Sequence, residues 1–283
     1  MRIGFVSDLH IDFNRKVNFI DVLKQLVDDE QLDELIIMGD TANGVKRDLT
    51  FYSKLKASLN IPFKTLVGNH DIYVDHARSK DFKEVQAESG DAYRQLDGLD
   101  TSLTTNPLIT KRWVITGING WYDYTFAKNF DEKNGQKLAN NFVNKHLWPD
   151  QRYINGGQVD YNRDKNWVTD QIFKWQSQIN QLNTKGKKVL VASHMLPTKR
   201  LTRSRSIPFY DRFLYPLGSE RYRELFEQNT VQVSLSGHSH MPTHLIYHDI
   251  KYVNLSLGYQ FQWHNPSDPL KELKRVMYIL EDD

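Results

Sequence analysis

Nine residues of the types that carry metal and acid–base chemistry stand directly behind apolar runs: Asp8 and His10 in "FVSDLH", Asp40 in "IIMGD", Asn69, His70 and Asp71 in "LVGNHD", His194 in "LVASH", and His238 and His240 in "SLSGHSH". They offer carboxylate and amide oxygens and imidazole nitrogens. The 283-residue chain has no cysteine, which removes disulfides, zinc–thiolate sites, iron–sulfur clusters and a thiol nucleophile. Oxygen and nitrogen donors in this mixture suit divalent transition ions such as Mn, Fe, Zn or Ni. The donors outnumber what one ion with an open position can use, so two ions are expected, about 3.5–4 Å apart with a carboxylate between them. Such a pair makes a hydroxide at neutral pH and clamps the attacking and leaving oxygens of an in-line displacement.

Each fragment alone is weak. Asp-x-His and Gly-Asp recur in unrelated chains, and a lone His194 is more often a satisfied structural histidine. "GNHD" and "GHSH" are more specific, because paired polar residues at a strand end contribute little to packing. The argument lies in all five occurring in order, each ending a strand-like run.

The elements that must position these residues can be read from hydrophobic periodicity. Apolar runs end at Val6, Met38, Val67, Ala192 and Leu235, and "WVITGI" at 113–118 is similar. Between them, residues 17–28 place Phe19, Ile20, Leu23, Leu26 and Val27 on one helical face. Residues 165–183 do the same with Val168, Ile172, Trp175, Ile179 and Leu182. "SERYRELFEQ" reads as a short helix capped by Ser219. "THLIYHDI", "KYVNLSL" and "KRVMYIL" add late strands to a layered α/β chain. Alternation alone suggests one doubly wound sheet with its ligands beyond the carboxyl ends of the strands. Residues 122–166 and 197–218 fit this core poorly and read as long excursions over the site, within a single domain spanning 1–283.

The series D-x-H, G-D, G-N-H-D, S-H, G-H-x-H resembles that of the calcineurin-like metallophosphoesterases, matched here as "DLH", "GD", "GNHD", "SH" and "GHSH" from residue 8 to residue 240. The resemblance implies two sheets in a β-sandwich flanked by helices, rather than one sheet. It implies that Asp8, His10 and His240 bind a first metal, that Asp40 bridges, and that Asn69, His194 and His238 complete a second. It implies further that His70 contacts the phosphate and protonates the leaving oxygen, oriented by Asp71. The implied activity is hydrolysis of a small phosphodiester or phosphomonoester, including nucleotide-like substrates, by attack of the metal-bridging hydroxide. A leaving alkoxide needs a proton, and a carboxylate-held histidine can deliver one.

Departures narrow the subfamily. Asn43 stands three residues after Asp40, where purple acid phosphatases resemble G-D-x-x-Y, so a tyrosinate ligand is not expected. "GDTANGV" lacks the arginine of the protein Ser/Thr phosphatases. A nuclease using the same chemistry is the alternative. It is disfavoured because Lys and Arg (37) nearly balance Asp and Glu (35), a net charge of +2. A non-catalytic scaffold is a weaker alternative, since such a protein commonly loses a ligand and this chain keeps them all. For substrate contacts, Trp121 and Tyr122 can stack on a ring or simply pack the excursion onto the core. Arg203 and Arg205, in the arginine-rich loop at 199–212, can meet a second phosphate or lie in solvent. No apolar stretch is long enough to span a bilayer and "MRIGFVSDLH" shows no signal-peptide pattern, so no membrane partner and a cytoplasmic location are expected. The sequence leaves the oligomeric state open.

Overall fold

The computed structural model describes residues 1–282 apart from 129, 144–147, 183 and 203–210. Its strands form two sheets. The first carries β1 (Arg2–Val6), β2 (Glu34–Met38) and β3 (Phe63–Leu66) in parallel, with β10 (Tyr278–Glu281) antiparallel at the β1 edge. The second has the order β4 (Leu108–Ile109), β5 (Trp113–Ile118), β6 (Lys188–Ser193), β7 (Val231–Ser236), β9 (Ile250–Asn254), β8 (Thr243–Tyr247). Strands β5, β6, β7 and β9 are parallel there, and β4 and β8 are antiparallel edges. The single sheet suggested by alternation alone is therefore replaced by two.

The reason lies in how the strands bury both faces. Central parallel strands covered on each side read as continuous apolar runs. Ile3, Phe5, Ile36, Met38 and Leu66 turn inward and meet Trp113, Ile115, Leu190, Ala192, Val233 and Leu235 of the other sheet in one cluster. The alternate residues Leu35, Ile37, Val114, Val189, Val191 and Val231 face outward into a second cluster built with helices. That cover comes from α1 (Phe19–Asp29), α2 (Val45–Ser58), α3 (Phe82–Asp97), α4 (Gly135–Val143), α5 (Asp150–Tyr153), α6 (Tyr161–Gln181), α7 (Asp211–Leu214), α8 (Glu220–Gln228) and α9 (Pro269–Val276).

Helix α6 shows the sequence logic and its limit. Val168, Trp175 and Ile179 are buried on one face, and the Trp175 Nε1–H donates to Thr116 Oγ1 at 2.9 Å. Truncating a buried tryptophan of this kind costs about 3–5 kcal/mol. The helix begins one turn earlier than its apolar periodicity suggests, because the Asp160 side chain accepts from the amides of Asn162 and Arg163 and caps it. Ser219 caps α8 as expected, accepting from the amide of Arg221. Among the described residues, no helix is long and apolar enough to cross a membrane.

Candidate metal centre

The ligand-bearing loops leave the carboxyl ends of β1, β2, β3, β6 and β7, which bring them to one end of both sheets. Asn119, after β5, ties the two sheets together there. Its Oδ1 accepts from the amide of Val67 at 2.8 Å, and its carbonyl accepts from the amide of His194 at 3.1 Å. Two glycines permit the close approach. A side-chain carbon on Gly68 would collide with the Asp40 carboxylate, and one on Gly237 would lie 2.6 Å from Asp8 Oδ2.

Two groups of donor atoms result. Asp8, His10, Asp40 and His240 offer one, and Asp40, His194 and His238 offer the other; within each group one donor atom per residue lies within 4.8 Å of the rest. Asp40 belongs to both, and its two oxygens point to different groups. Oδ2 lies 3.7 Å from His10 Nε2, and Oδ1 lies 3.3 Å from His194 Nε2. Asp8 Oδ1 stands 3.5 Å from His240 Nε2, and the Nε2 atoms of His10 and His240 face each other at 2.9 Å. Asn69 Oδ1 lies 3.2 Å from His194 Nε2, at the second group.

In three of the four clustered histidines the ring nitrogen turned away from the centre has an acceptor that sets the tautomer, whereas His10 Nδ1 is buried without one. His194 Nδ1 faces the Met38 carbonyl at 2.9 Å, His238 Nε2 faces the Pro216 carbonyl at 3.0 Å, and His240 Nδ1 faces Gln262 Oε1 at 3.0 Å. Donating these N–H groups leaves a lone pair on the opposite nitrogen, as metal-binding histidines commonly do. His238 Nδ1 is buried and has no hydrogen-bond partner. A buried nitrogen lone pair beside carboxylates is a fit for a cation.

Electrostatics agrees. Burial pushes His10 well below the ordinary imidazole value, and His70 adds to this; burial and His194 hold His238 at about 3. Both are therefore neutral, the form that can coordinate. Burial opposes ionising Asp40, yet His194 and His70 hold it well below the usual carboxylate range. Burial also opposes charging His194, but Asp40 raises it to about 10, placing a proton where a cation would otherwise satisfy the carboxylate. Asp8 (φ 61°), His10 (44°), Asp40 (52°), His238 (70°) and His240 (52°) all sit in the left-handed region. Such conformations cost of order 1–3 kcal/mol each and persist where the surroundings fix them. Here the fixing bonds include Asp8 N–H to the Gly39 carbonyl, His10 N–H to the Asp40 carbonyl, and His238 N–H to Asp8 Oδ1 at 2.9 Å.

His70 borders the centre, its ring 4.7 Å from that of His10 and 4.4 Å from that of Tyr73. Its orienting partner differs from expectation. His70 Nδ1 is 2.6 Å from Asn43 Oδ1, so Asn43 holds the ring. The Asp71 carboxylate is occupied by the amides of Asp40 (3.0 Å), Thr41 (2.8 Å) and Gly68 (2.7 Å). Burial and the Asp40 charge push Asp71 up to about 7, and its geometry makes it a clamp on the loops that carry Asp40 and Asn69.

Trp121 and Tyr122 take the packing role rather than a substrate-stacking one. Both are buried, Trp121 stacks on Trp167 at 4.2 Å, and its Nε1–H donates to Asp164 Oδ1 at 2.8 Å. An indole buried with its N–H satisfied has no face left for a ligand. Arg203 and Arg205 lie outside the described residues.

Reading the sequence missed Asp150. It is fully buried at the start of α5, in the first excursion, and accepts from Asn69 Nδ2 (2.8 Å), the Tyr73 hydroxyl (2.6 Å) and Trp148 Nε1 (2.8 Å). By taking the amide nitrogen of Asn69 it aims Oδ1 into the second group. A lone Asp in "LWPDQRY" carries no signal of this, because Asn69 and Tyr73, the partners that link it to the centre, are more than 70 residues away.

A cleft of about 280 Å³ opens over the centre, lined by Asp40, His70, Tyr73, His238, His240 and Tyr259 among others. A larger cleft of about 620 Å³, between α1 and α2, contains none of the clustered ligands and is not where the chemistry lies.

A family model described as calcineurin-like phosphoesterase matches residues 1–242. A protein of Aquifex aeolicus named as an uncharacterized metallophosphoesterase is 30% identical over 84 residues; the match covers 29% of this chain and 32% of that protein. A phosphopantetheinyl hydrolase from Mycobacterium tuberculosis has a similar structure, with a TM-score of 0.70 and 17% identity, covering 99% of this chain and 96% of its own. A dimetal phosphatase from Danio rerio superposes with a TM-score of 0.47 and 11% identity over 90% of this chain and 87% of its own. The ordered motifs, the paired sheets and the match over most of the chain agree: this protein belongs to the calcineurin-like phosphoesterase family.

Proposed function

We propose that this protein hydrolyses small phosphodiesters or phosphomonoesters at a dinuclear centre, with His70 as the general acid. The observation that carries the proposal is Asp40, whose two oxygens address two separate donor groups while the amide of His70 donates to Oδ1 at 2.9 Å. Asp8, His10 and His240 would hold one divalent ion and Asn69, His194 and His238 the other, with Asp40 shared. Two such ions supply Lewis acidity to phosphoryl oxygens and lower the pKa of water.

The chain's own residues do the rest. Asn43 accepts the His70 Nδ1–H and orients the ring, and in the imidazolium form Nε2–H would be the proton offered to the departing ester oxygen, leaving His70 neutral. Asp71 fixes the backbone of Asp40, Thr41 and Gly68, so the bridging carboxylate is preorganised. Asn69 brings a neutral oxygen, which leaves the second group less negative than a carboxylate would. Trp148, Pro149 and Leu217 line the cleft and limit water around it.

The test is hydrolysis of bis-p-nitrophenyl phosphate and p-nitrophenyl phosphate by metal-stripped protein, with and without added Mn. Metal-dependent turnover of the diester supports a phosphodiesterase, and of the monoester alone a phosphatase. The name of the Mycobacterium tuberculosis neighbour makes phosphopantetheinyl esters a natural addition to the panel. No turnover of any ester by protein that holds metal would overturn the proposal.

A further inference from the structure

Two aromatic side chains stand beside the candidate ligands, a third stacks on one of them, and none has a part in the chemistry above. Phe13 follows the β1 loop, and Tyr259 and Phe261 follow β9. Tyr259 lies 4.8 Å from the His10 ring and 4.6 Å from the His240 ring. Phe13 lies 4.9 Å from Tyr259, and also 6.1 Å from His10 and 6.3 Å from His70. Phe261 continues outward from Tyr259, stacked at 5.6 Å with the planes 23° apart. Phe13 is 55% exposed and Phe261 84%.

The backbone beneath the ridge is tied down by hydrogen bonds. Buried Asn14 accepts from the amide of Gln260 at 2.8 Å and donates from Nδ2 to the carbonyls of Leu9 and Gly258. Gln262 Oε1 accepts from the amide of Tyr259 at 2.8 Å while facing His240 Nδ1, and Trp263 Nε1–H donates to the Gly258 carbonyl. The backbone beneath the rings is thus tied both to the Asp8–His10 loop and to a metal-ligand candidate. Single exposed aromatics are ordinary, but a contiguous row of rings on a tied backbone beside the candidate metal centre marks a place for a ligand. Rings spaced at 4.5–7 Å in tilted and offset arrangements are the geometry in which another ring adds favourably.

We propose that Phe13, Tyr259 and Phe261 form the subsite for a planar aromatic ring carried by the substrate, so that the preferred substrates are aryl or heteroaryl phosphoesters. The proposal rests on the phosphoesterase reading for its substrate, but its test does not depend on turnover. Binding of phenylphosphonate, cyclohexylphosphonate and methylphosphonate to Mn-loaded protein is measured by calorimetry; their carbon–phosphorus bonds are not ester bonds, so the probes stay intact. Stacking on an aromatic platform predicts that the phenyl compound binds about tenfold tighter than the cyclohexyl compound of similar size. In Phe261→Ala and Phe13→Ala that preference falls severalfold. Because Phe261 is almost wholly exposed, its replacement leaves the packed core untouched. Equal binding of phenyl and cyclohexyl probes, or a preference unchanged in both variants, overturns the subsite. Phenyl preference without turnover of any nitrophenyl ester would instead overturn the reaction and leave the subsite standing.

Discussion

Replacing Asp150 by Asn isolates the contribution of the first excursion to the metal centre. The carboxylate receives three donors in a fully buried position: Asn69 Nδ2 at 2.8 Å, the Tyr73 hydroxyl at 2.6 Å and Trp148 Nε1 at 2.8 Å. Asn69 and Tyr73 share Oδ1 and Trp148 takes Oδ2, so an asparagine turns its NH2 either toward Asn69 and Tyr73 or toward Trp148, and only the first orientation frees Asn69. Leaving one buried donor unsatisfied costs about 1–3 kcal/mol. If that cost appears as freedom of the Asn69 amide to rotate away from the second group, the affinity of that group falls roughly 5- to 150-fold. The range overlaps the roughly 10- to 100-fold expected for loss of a partner behind a metal ligand. The assay is a calorimetric titration of metal-stripped protein with Mn, fitted to two sites. The Asn69–His194–His238 site should weaken by this factor while the Asp8–His10–His240 site keeps its affinity. Equal weakening of both sites would show a general loosening, and no weakening would show that Asn69 does not depend on the Asp150 carboxylate; either refutes the reasoning.

Other predictions follow from individual contacts. His70→Ala should lower kcat most for esters with poor leaving groups and least for nitrophenyl esters. Asn43→Ala should show the same pattern, weakened, while Asp71→Asn should not favour either ester; steady-state rates on the two ester types check this. Burial raises Asp164 to about 7, with Trp121 and Tyr124 opposing, so wild-type stability from this group is full below about pH 4 and is lost as the pH rises through 7. Asp164→Asn, which mimics the protonated acid, should therefore gain about 2–3 kcal/mol on wild type between pH 5 and pH 8, measured by urea unfolding. Stripping metal should destabilise the fold, and reloading at about 1,000 times Kd should restore about 4 kcal/mol, or roughly 6–10 °C in Tm by calorimetry.

What the sequence made legible was local and periodic. Each strand run ending in a ligand could be read because both faces of these strands are buried and the apolar residues stop where the loop begins. The pool of candidate donors followed from residue type and order, while their division between two metals, and His70 as an acid rather than a ligand, came from the family resemblance. The division into two sheets was not legible in the strands themselves, since Ile3, Phe5 and Val6 look alike whether they face a sheet or a helix. It came from the family resemblance. Asp71 was misassigned because adjacency in sequence suggested a pairing with His70. In the structure the chain turns into a short 3-10 helix at His70–Ile72, and the Asp71 carboxylate points back to the amides of the neighbouring loops. Asn43, Asp150, Gln262 and the Phe13–Tyr259–Phe261 ridge were not legible because the contacts that tie them to the centre, to His70, Asn69, His240 and His10, lie on other loops. Trp121 and Tyr122 sat at the edge of a polar, turn-rich stretch, yet Trp121 is buried against Trp167 of α6 and Tyr122 is buried against Trp121.

The central claim is that Asp40 joins two metal sites into one hydrolytic centre. It is tested most directly by measuring bound Mn per chain and Mn-dependent hydrolysis of bis-p-nitrophenyl phosphate and p-nitrophenyl phosphate for wild type and Asp40→Asn on the same preparations. The account predicts two ions per wild-type chain with metal-dependent turnover of at least one ester, and in Asp40→Asn the loss of at least one ion together with that turnover. Wild-type protein that binds no metal, or an Asp40→Asn variant that keeps both ions and full activity, would contradict it.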